Sequence, residues 1–181
     1  MTVKQIPVNM ICLEYRQEPG DEHYGSCLWA RFYFNLDRYE LQIMSDCGNY
    51  GYKWVEGKTP FLNLMLEMDE GYLIGKLYGQ PDIFDWDMTK KRLLEYYEDE
   101  EDDVKESLNR GIMDIENDWI PESESEFYRQ MDEHLGWIDE SYYFVEKVYP
   151  LDAIKICSVF ENYIKPKIKE ILNEKVQDNS K

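Results

Sequence analysis

Leu28-Trp29-Ala30-Arg31-Phe32-Tyr33-Phe34-Asn35-Leu36-Asp37 is the stretch whose reading decides the fold. Leu28, Ala30, Phe32, Phe34 and Leu36 alternate with Trp29, Arg31, Tyr33, Asn35 and Asp37, a period of two. Strand side chains point alternately to opposite faces, so one face here is apolar and the other amphipathic. Leu41 and Ile43 continue the pattern after a turn near Asp37–Arg38. A second turn at Cys47-Gly48-Asn49 leads into alternating Tyr50, Tyr52 and Trp54, and residues 8–15 supply a fourth strand. Connections of hairpin length predict an antiparallel meander.

Downstream of residue 58 the period changes. Thr59-Pro60 reads as an N-cap followed by proline at the first helical position, ahead of the apolar Phe61-Leu62 run. Gly71 to Gly79 forms a second short apolar piece, and Asp87 reads as the cap of a helix with Leu93, Leu94 and Tyr97 inward. Val104, Leu108, Ile112, Ile115 and Trp119 then recur at helical spacing. The same phase run backwards places Glu100 or Glu101 in the core, so a break falls near 99–103. Pro121 ends this helix, and Ser123 with Glu126 forms a capping box for a helix carrying Phe127, Met131, Leu135 and Ile138. Tyr142 to Tyr149 is ambiguous between strand and extended connection. The last helix, about 151 to 175, has Cys157, Phe160, Ile164, Ile168 and Ile171 on one face and a kink at Pro166, followed by a loose tail. The fold class is therefore α+β: a small N-terminal antiparallel sheet packed by helices (residues 1–94), with an acidic helical C-terminal half (residues 95–181). The two halves are compatible with one compact unit.

Charge is unevenly placed. The net charge is −18, yet residues 95–146 alone hold 19 acidic groups against Lys105, Arg110 and Arg129. Such a segment repels nucleic acid and attracts basic surfaces. Cys12, Cys27, Cys47 and Cys157 form no CxxC pair, and the chain start shows no signal-peptide pattern. No run of eighteen apolar residues spans a membrane. Buried thiols in a reduced cytoplasm are the expectation.

The chemical motifs are sparse. Gly71-Tyr-Leu-Ile-Gly75-Lys76-Leu77 is one residue short of a phosphate loop and lacks the Ser or Thr that holds magnesium. His23 and His134 stand alone, without HExxH or a Cys/His cluster. The run Glu98 to Asp103 lacks the alternation and central glycine of a calcium loop. No GxSxG elbow occurs. Trp29, Tyr33, Tyr50, Tyr52 and Trp54 resemble a base-stacking platform but lack a basic groove, which leaves packing or protein contact. A binding role without catalysis, metal or cofactor is thus expected. Its candidate partner-binding carboxylates are Glu98, Asp99, Glu101, Asp102, Asp103, Glu106, Asp114, Glu116, Asp118, Glu122, Glu124 and Glu126. Carboxylates three or four residues apart on a helix lie ~5–6 Å apart, close to the spacing of phosphates along a strand. The simpler alternative is a solvated face that keeps the chain soluble.

Residues 46–89 resemble a group of small phage and mobile-element proteins. The shared pattern reads here Gly48-Asn49-Tyr50-Gly51-Tyr52-Lys53-Trp54, Phe61-Leu62, Tyr72-Leu73-Ile74-Gly75-Lys76-Leu77 and Phe84-Asp85. The resemblance implies a phage origin. Together with the acidic segment it is similar to DNA-mimicking anti-CRISPR proteins that inhibit type II-A Cas9. What this implies is a partner in guide-loaded Cas9, whose arginines and basic channel hold DNA, with no nucleic acid or membrane bound directly. Two rivals stay open: an interaction module for another basic partner, and a metal-dependent nuclease or hydrolase built on scattered carboxylates.

Overall fold

The computed structural model describes residues 3–21 and 24–178. His23 and the end of the tail, 179–181, lie outside the described residues. In chain order the elements are strands β1 (Met10–Arg16), β2 (Trp29–Asn35), β3 (Glu40–Ser45) and β4 (Gly48–Lys53), then helices α1 (Phe61–Glu67) and α2 (Glu70–Leu77). There follow β5 (Ile83–Phe84), α3 (Trp86–Tyr96), α4 (Asp102–Asp118), α5 (Glu124–His134) and a single 3₁₀ turn (Ser141–Phe144). The chain closes with β6 (Lys147–Val148), α6 (Leu151–Val159), a π-helical stretch (Phe160–Ile164) and α7 (Lys165–Asp178). This is an α+β fold. Among the described residues no helix is long and apolar enough to cross a membrane.

Two compact units result. Met1–Gln80 and Leu151–Lys181 form a sheet unit, and Pro81–Pro150 form a unit inserted into it. Packing thus places residues 81–94 with the acidic helices and returns the last helices to the sheet, away from the 94/95 division read from charge.

In the sheet unit the strands lie in the order β1-β2-β3-β4, the predicted meander. The register Leu13↔Phe32↔Ile43↔Tyr50 and Ile11↔Phe34↔Leu41↔Tyr52 puts these residues on one face. Phe32, Phe34, Leu41 and Ile43 are buried there. Each such side chain contributes about 1.5–3 kcal/mol relative to exposure. Rings from the helices cover the face: Phe61 of α1 lies 6.4 Å from Phe34 and 5.7 Å from Trp54, and Phe160 lies 6.0 Å from Phe32. The five sheet aromatics therefore make no platform. Tyr50 and Tyr52 face the core with Trp54 buried beside them, whereas Trp29 and Tyr33 point the other way.

Local sequence explains the helix ends, with some shifts. Pro60 itself is the N-cap residue of α1, one position later than expected, and no side chain caps that end. Gly71, Gly75 and Lys76 all fall inside α2, which removes the phosphate-loop reading. Asp85, not Asp87, caps α3 by accepting from the Met88 amide at 2.8 Å. Pro166 has no amide hydrogen, so the usual bond four residues back is missing. The chain adapts through the π stretch, whose end is marked by a Lys165 amide donating to the Phe160 carbonyl. Lys165 is buried, and its ammonium donates to the Met68 carbonyl and pairs with Glu161 at 2.6 Å.

The inserted unit has its own core: Trp86, Leu93, Leu108, Ile112, Ile115, Phe127, Met131, Leu135, Ile138 and Phe144. Its ends are tied by β5 and β6, paired as Ile83↔Val148 and Phe84↔Lys147. The expected break is present, since α3 stops at Tyr96 and α4 starts at Asp102. Trp119 leaves the apolar stripe because α4 ends one residue earlier and Trp119 is extended (φ −160°), leaving it 55% exposed. Leu94 likewise faces outward, unlike Leu93 on the same helix. The capping box forms: Ser123 Oγ accepts from the Glu126 amide at 3.4 Å, and the Glu126 carboxylate accepts from the Glu122 amide at 2.9 Å. Gly111 lets α4 approach α5 closely, because a Cβ there would stand 2.3 Å from Leu135 Cδ2.

Candidate functional site

The inserted unit carries 22 acidic and 7 basic residues, net −15, against 16 and 13 in the sheet unit. Five of its seven basic groups are already engaged in ion pairs. Lys90 pairs with Glu116 at 2.6 Å, Lys91 with Glu95 at 3.7 Å, Arg110 with Glu106 at 2.9 Å and Lys147 with Glu124 at 2.6 Å, while Arg92 pairs with Glu146. These contacts decide which carboxylates are available to a partner.

The twelve candidate carboxylates separate accordingly. Glu116 accepts from Lys90 and from the Trp86 indole at 3.3 Å, and the Lys90 contact holds its carboxyl below the ordinary value. Glu124 is held by Lys147, Glu126 closes the capping box, and Asp118 accepts from Gln130 Nε2 at 3.4 Å. Glu106 is paired along its own helix by Arg110, both side chains staying more than 70% exposed. At 100° per residue the acidic positions of α4, from Glu116 round to Asp118, fan over roughly 200° of the helix circumference, and Asp102 and Asp118 stand about 24 Å apart along its axis. Asp114 and Glu122 are exposed.

Glu98, Asp99, Glu101, Asp102 and Asp103 do come together. With Glu100 they form six successive exposed carboxylates over the α3–α4 connection and the first turn of α4. Among the described residues no ion pair engages any of the six. Asp102 and Asp103 also face the positive end of the α4 dipole, which stabilises them where they are.

Aromatic rings border this run, and charge-based reading of the sequence passes over them. Tyr96 is 68% exposed and lies 5.2 Å from Phe144, while Tyr97 lies 5.5 Å from Trp137, itself 45% exposed. Asp103, Val104, Ser107 and Trp137 line one shallow depression. A second, of about 310 Å³, is lined by Arg92, Tyr96, Tyr97, Asp139, Glu140, Tyr143 and Phe144. Burial pushes the Tyr97 hydroxyl up, and the Tyr143 hydrogen bond helps raise Tyr142 to about 12, so these rings stay neutral. The only sequence signal for them is Tyr96-Tyr97 directly ahead of the acidic run. Aromatic anchors with a charged border are the chemistry of binding hot spots, and the rings also offer faces to arginine.

Two groupings among the described residues bring three metal-type donors within 4.8 Å: Cys27 with Asp46 and Cys47, and Asp118 with Glu133 and His134. In the first, Cys27 Sγ lies 3.6 Å from the Asp46 carboxylate and Cys47 Sγ donates to the Ser26 carbonyl at 3.4 Å. Burial pushes both thiols up, so they hold their protons. Asp46 in turn accepts from the Leu28 and Trp29 amides at 2.9 and 3.3 Å, pinning the loop before β2.

Comparison with known proteins adds one finding. Residues 1–170 match the model of Phage_phiTE_072, a phage family. No curated protein and no solved structure matches the chain.

Proposed function

Since the chain belongs to a phage protein family, we propose that it is an acidic inhibitor that occupies a basic, nucleic-acid-reading surface of a host protein. In its most specific form the partner is a guide-loaded Cas9-type nuclease, with DNA recognition or cleavage blocked by charge mimicry. The role is one of binding, without catalysis. The observation that supports it is the run Glu98 to Asp103 beside Tyr96 and Trp137, six exposed carboxylates that no ion pair engages among the described residues. A duplex presents phosphates to arginine and lysine in the same way, as closely spaced anions. The aromatic rings supply apolar contact that phosphates lack, which favours a protein groove over general attraction to cations.

The test is binding and cleavage by guide-loaded Cas9 with the full chain and with the triple variant Glu98→Lys, Glu100→Lys, Asp102→Lys. Binding is expected to weaken steeply with salt and to be lost in the variant, with the circular dichroism spectrum unchanged. Equal affinity of parent and variant would refute the charge reading. Capture of a different basic protein from nuclease-treated lysate, lost in the same variant, would retain the reading and replace Cas9 as the partner.

A further inference from the structure

We propose that Asp118, Glu133 and His134 form a binding site for a divalent transition-metal ion of the zinc class. Asp118 is the last residue of α4, and Glu133 and His134 are the last two of α5, so two helix ends bring the donors within 4.8 Å of one another.

The orphaned atoms around these three residues carry the argument. Nε2 of His134 and Oε1 of Gln130 are buried with no hydrogen-bond partner. Gln130 is wholly buried, and among the described residues its side-chain hydrogen bond is the 3.4 Å one that Nε2 donates to the Asp118 carboxylate of this cluster. Buried polar atoms are partnered in more than about nine cases in ten, so two exceptions around a single carboxylate call for a ligand. Turned over, the Gln130 amide presents Oε1 where Nε2 now stands, adding an oxygen donor. Electrostatics agree. Helix C-termini carry partial negative charge, and the last turn of α4 holds no basic residue to offset it.

Donor type selects the ion. Imidazole with two carboxylates suits zinc and its neighbours, whereas calcium and magnesium favour oxygen alone. Donors around a tetrahedral zinc stand about 3.3 Å apart. The exposed Asp118 and Glu133 side chains close the remaining gap by changing rotamer around the half-buried His134. Bound there, the ion joins the ends of α4 and α5 and leaves a coordination position for water or for a donor from a partner. This site is separate from the Glu98–Asp103 run, so it stands or falls independently of the inhibitor reading.

The test follows the imidazole nitrogen signals of the full ¹⁵N-labelled chain by NMR as zinc is added at physiological salt. These signals distinguish His134 from His23 and from zinc held by thiols. His134 signals should move and saturate at a single zinc per chain, with calcium leaving them in place. Asp118→Asn and Glu133→Gln should each weaken that response by about tenfold or more. His134 signals that stay fixed while zinc binds elsewhere would overturn the site. So would a response unaltered in both variants, which means an adventitious ion only.

Discussion

Gly111→Ala tests the closest helix contact of the inserted unit. The new Cβ would stand 2.3 Å from Leu135 Cδ2, 2.6 Å from Leu135 Cγ and 3.0 Å from the His134 carbonyl oxygen. Leu135 is fully buried and has no solvent to swing into, and the carbonyl belongs to the α5 backbone. Forcing a methyl group into such a space costs about 1–3 kcal/mol. In its favour, alanine is a better helix former than glycine by about 1 kcal/mol. At a separation of 2.3 Å the clash takes the upper part of its range, leaving a net destabilisation of roughly 1–2 kcal/mol. With a urea slope of about 2 kcal/mol per molar, the midpoint should fall by about 0.5–1 M. Trp86, Trp119 and Trp137 make fluorescence sensitive to this unit. An unchanged or raised midpoint would show that α4 and α5 lie further apart than described, and would remove the physical reason for glycine at this position.

In the sheet unit, Lys165→Met should cost about 1–3 kcal/mol despite added apolar surface, because the Met68 carbonyl loses its donor and Glu161 its counter-ion; thermal unfolding measures it, and a variant as stable as the parent would refute the assigned role. Glu116 has a folded-state pKa below the usual 4.5, so its contribution to stability is present above that pH and is lost as the solution is acidified through the folded value. Glu116→Gln should therefore lose stability near neutrality and show a shallower fall between pH 5 and pH 3 than the parent, read as urea midpoints across that window; parallel curves would place the acid sensitivity elsewhere.

Side-chain periodicity made the sheet legible: the alternation around Phe32 and Phe34, with hairpin-length turns, leaves little choice of topology. The stripe Leu108, Ile112, Ile115 and the Ser123–Glu126 cap were readable for the same reason, since both depend on residues within a turn or two. What a stripe faces is not written into it. Phe160, Ile164 and Ile168 announce a buried helix face, yet nothing local says that it meets strands a hundred or more residues earlier. The acidic surface was legible in its amount but not in its pattern. Which carboxylates remain available depends on cations distant in sequence, as when Lys90 neutralises Glu116 or Lys147 neutralises Glu124. His134 looked solitary because its companion Asp118 belongs to the preceding helix.

Pairing of β5 with β6 brings the entry and exit of residues 81–150 side by side. A segment that leaves where it arrived, with a core of its own, behaves as a cassette in a host scaffold. Carboxylates and rings can be exchanged within that cassette while the strand register of the meander, written in residues 10–53, stays as it is.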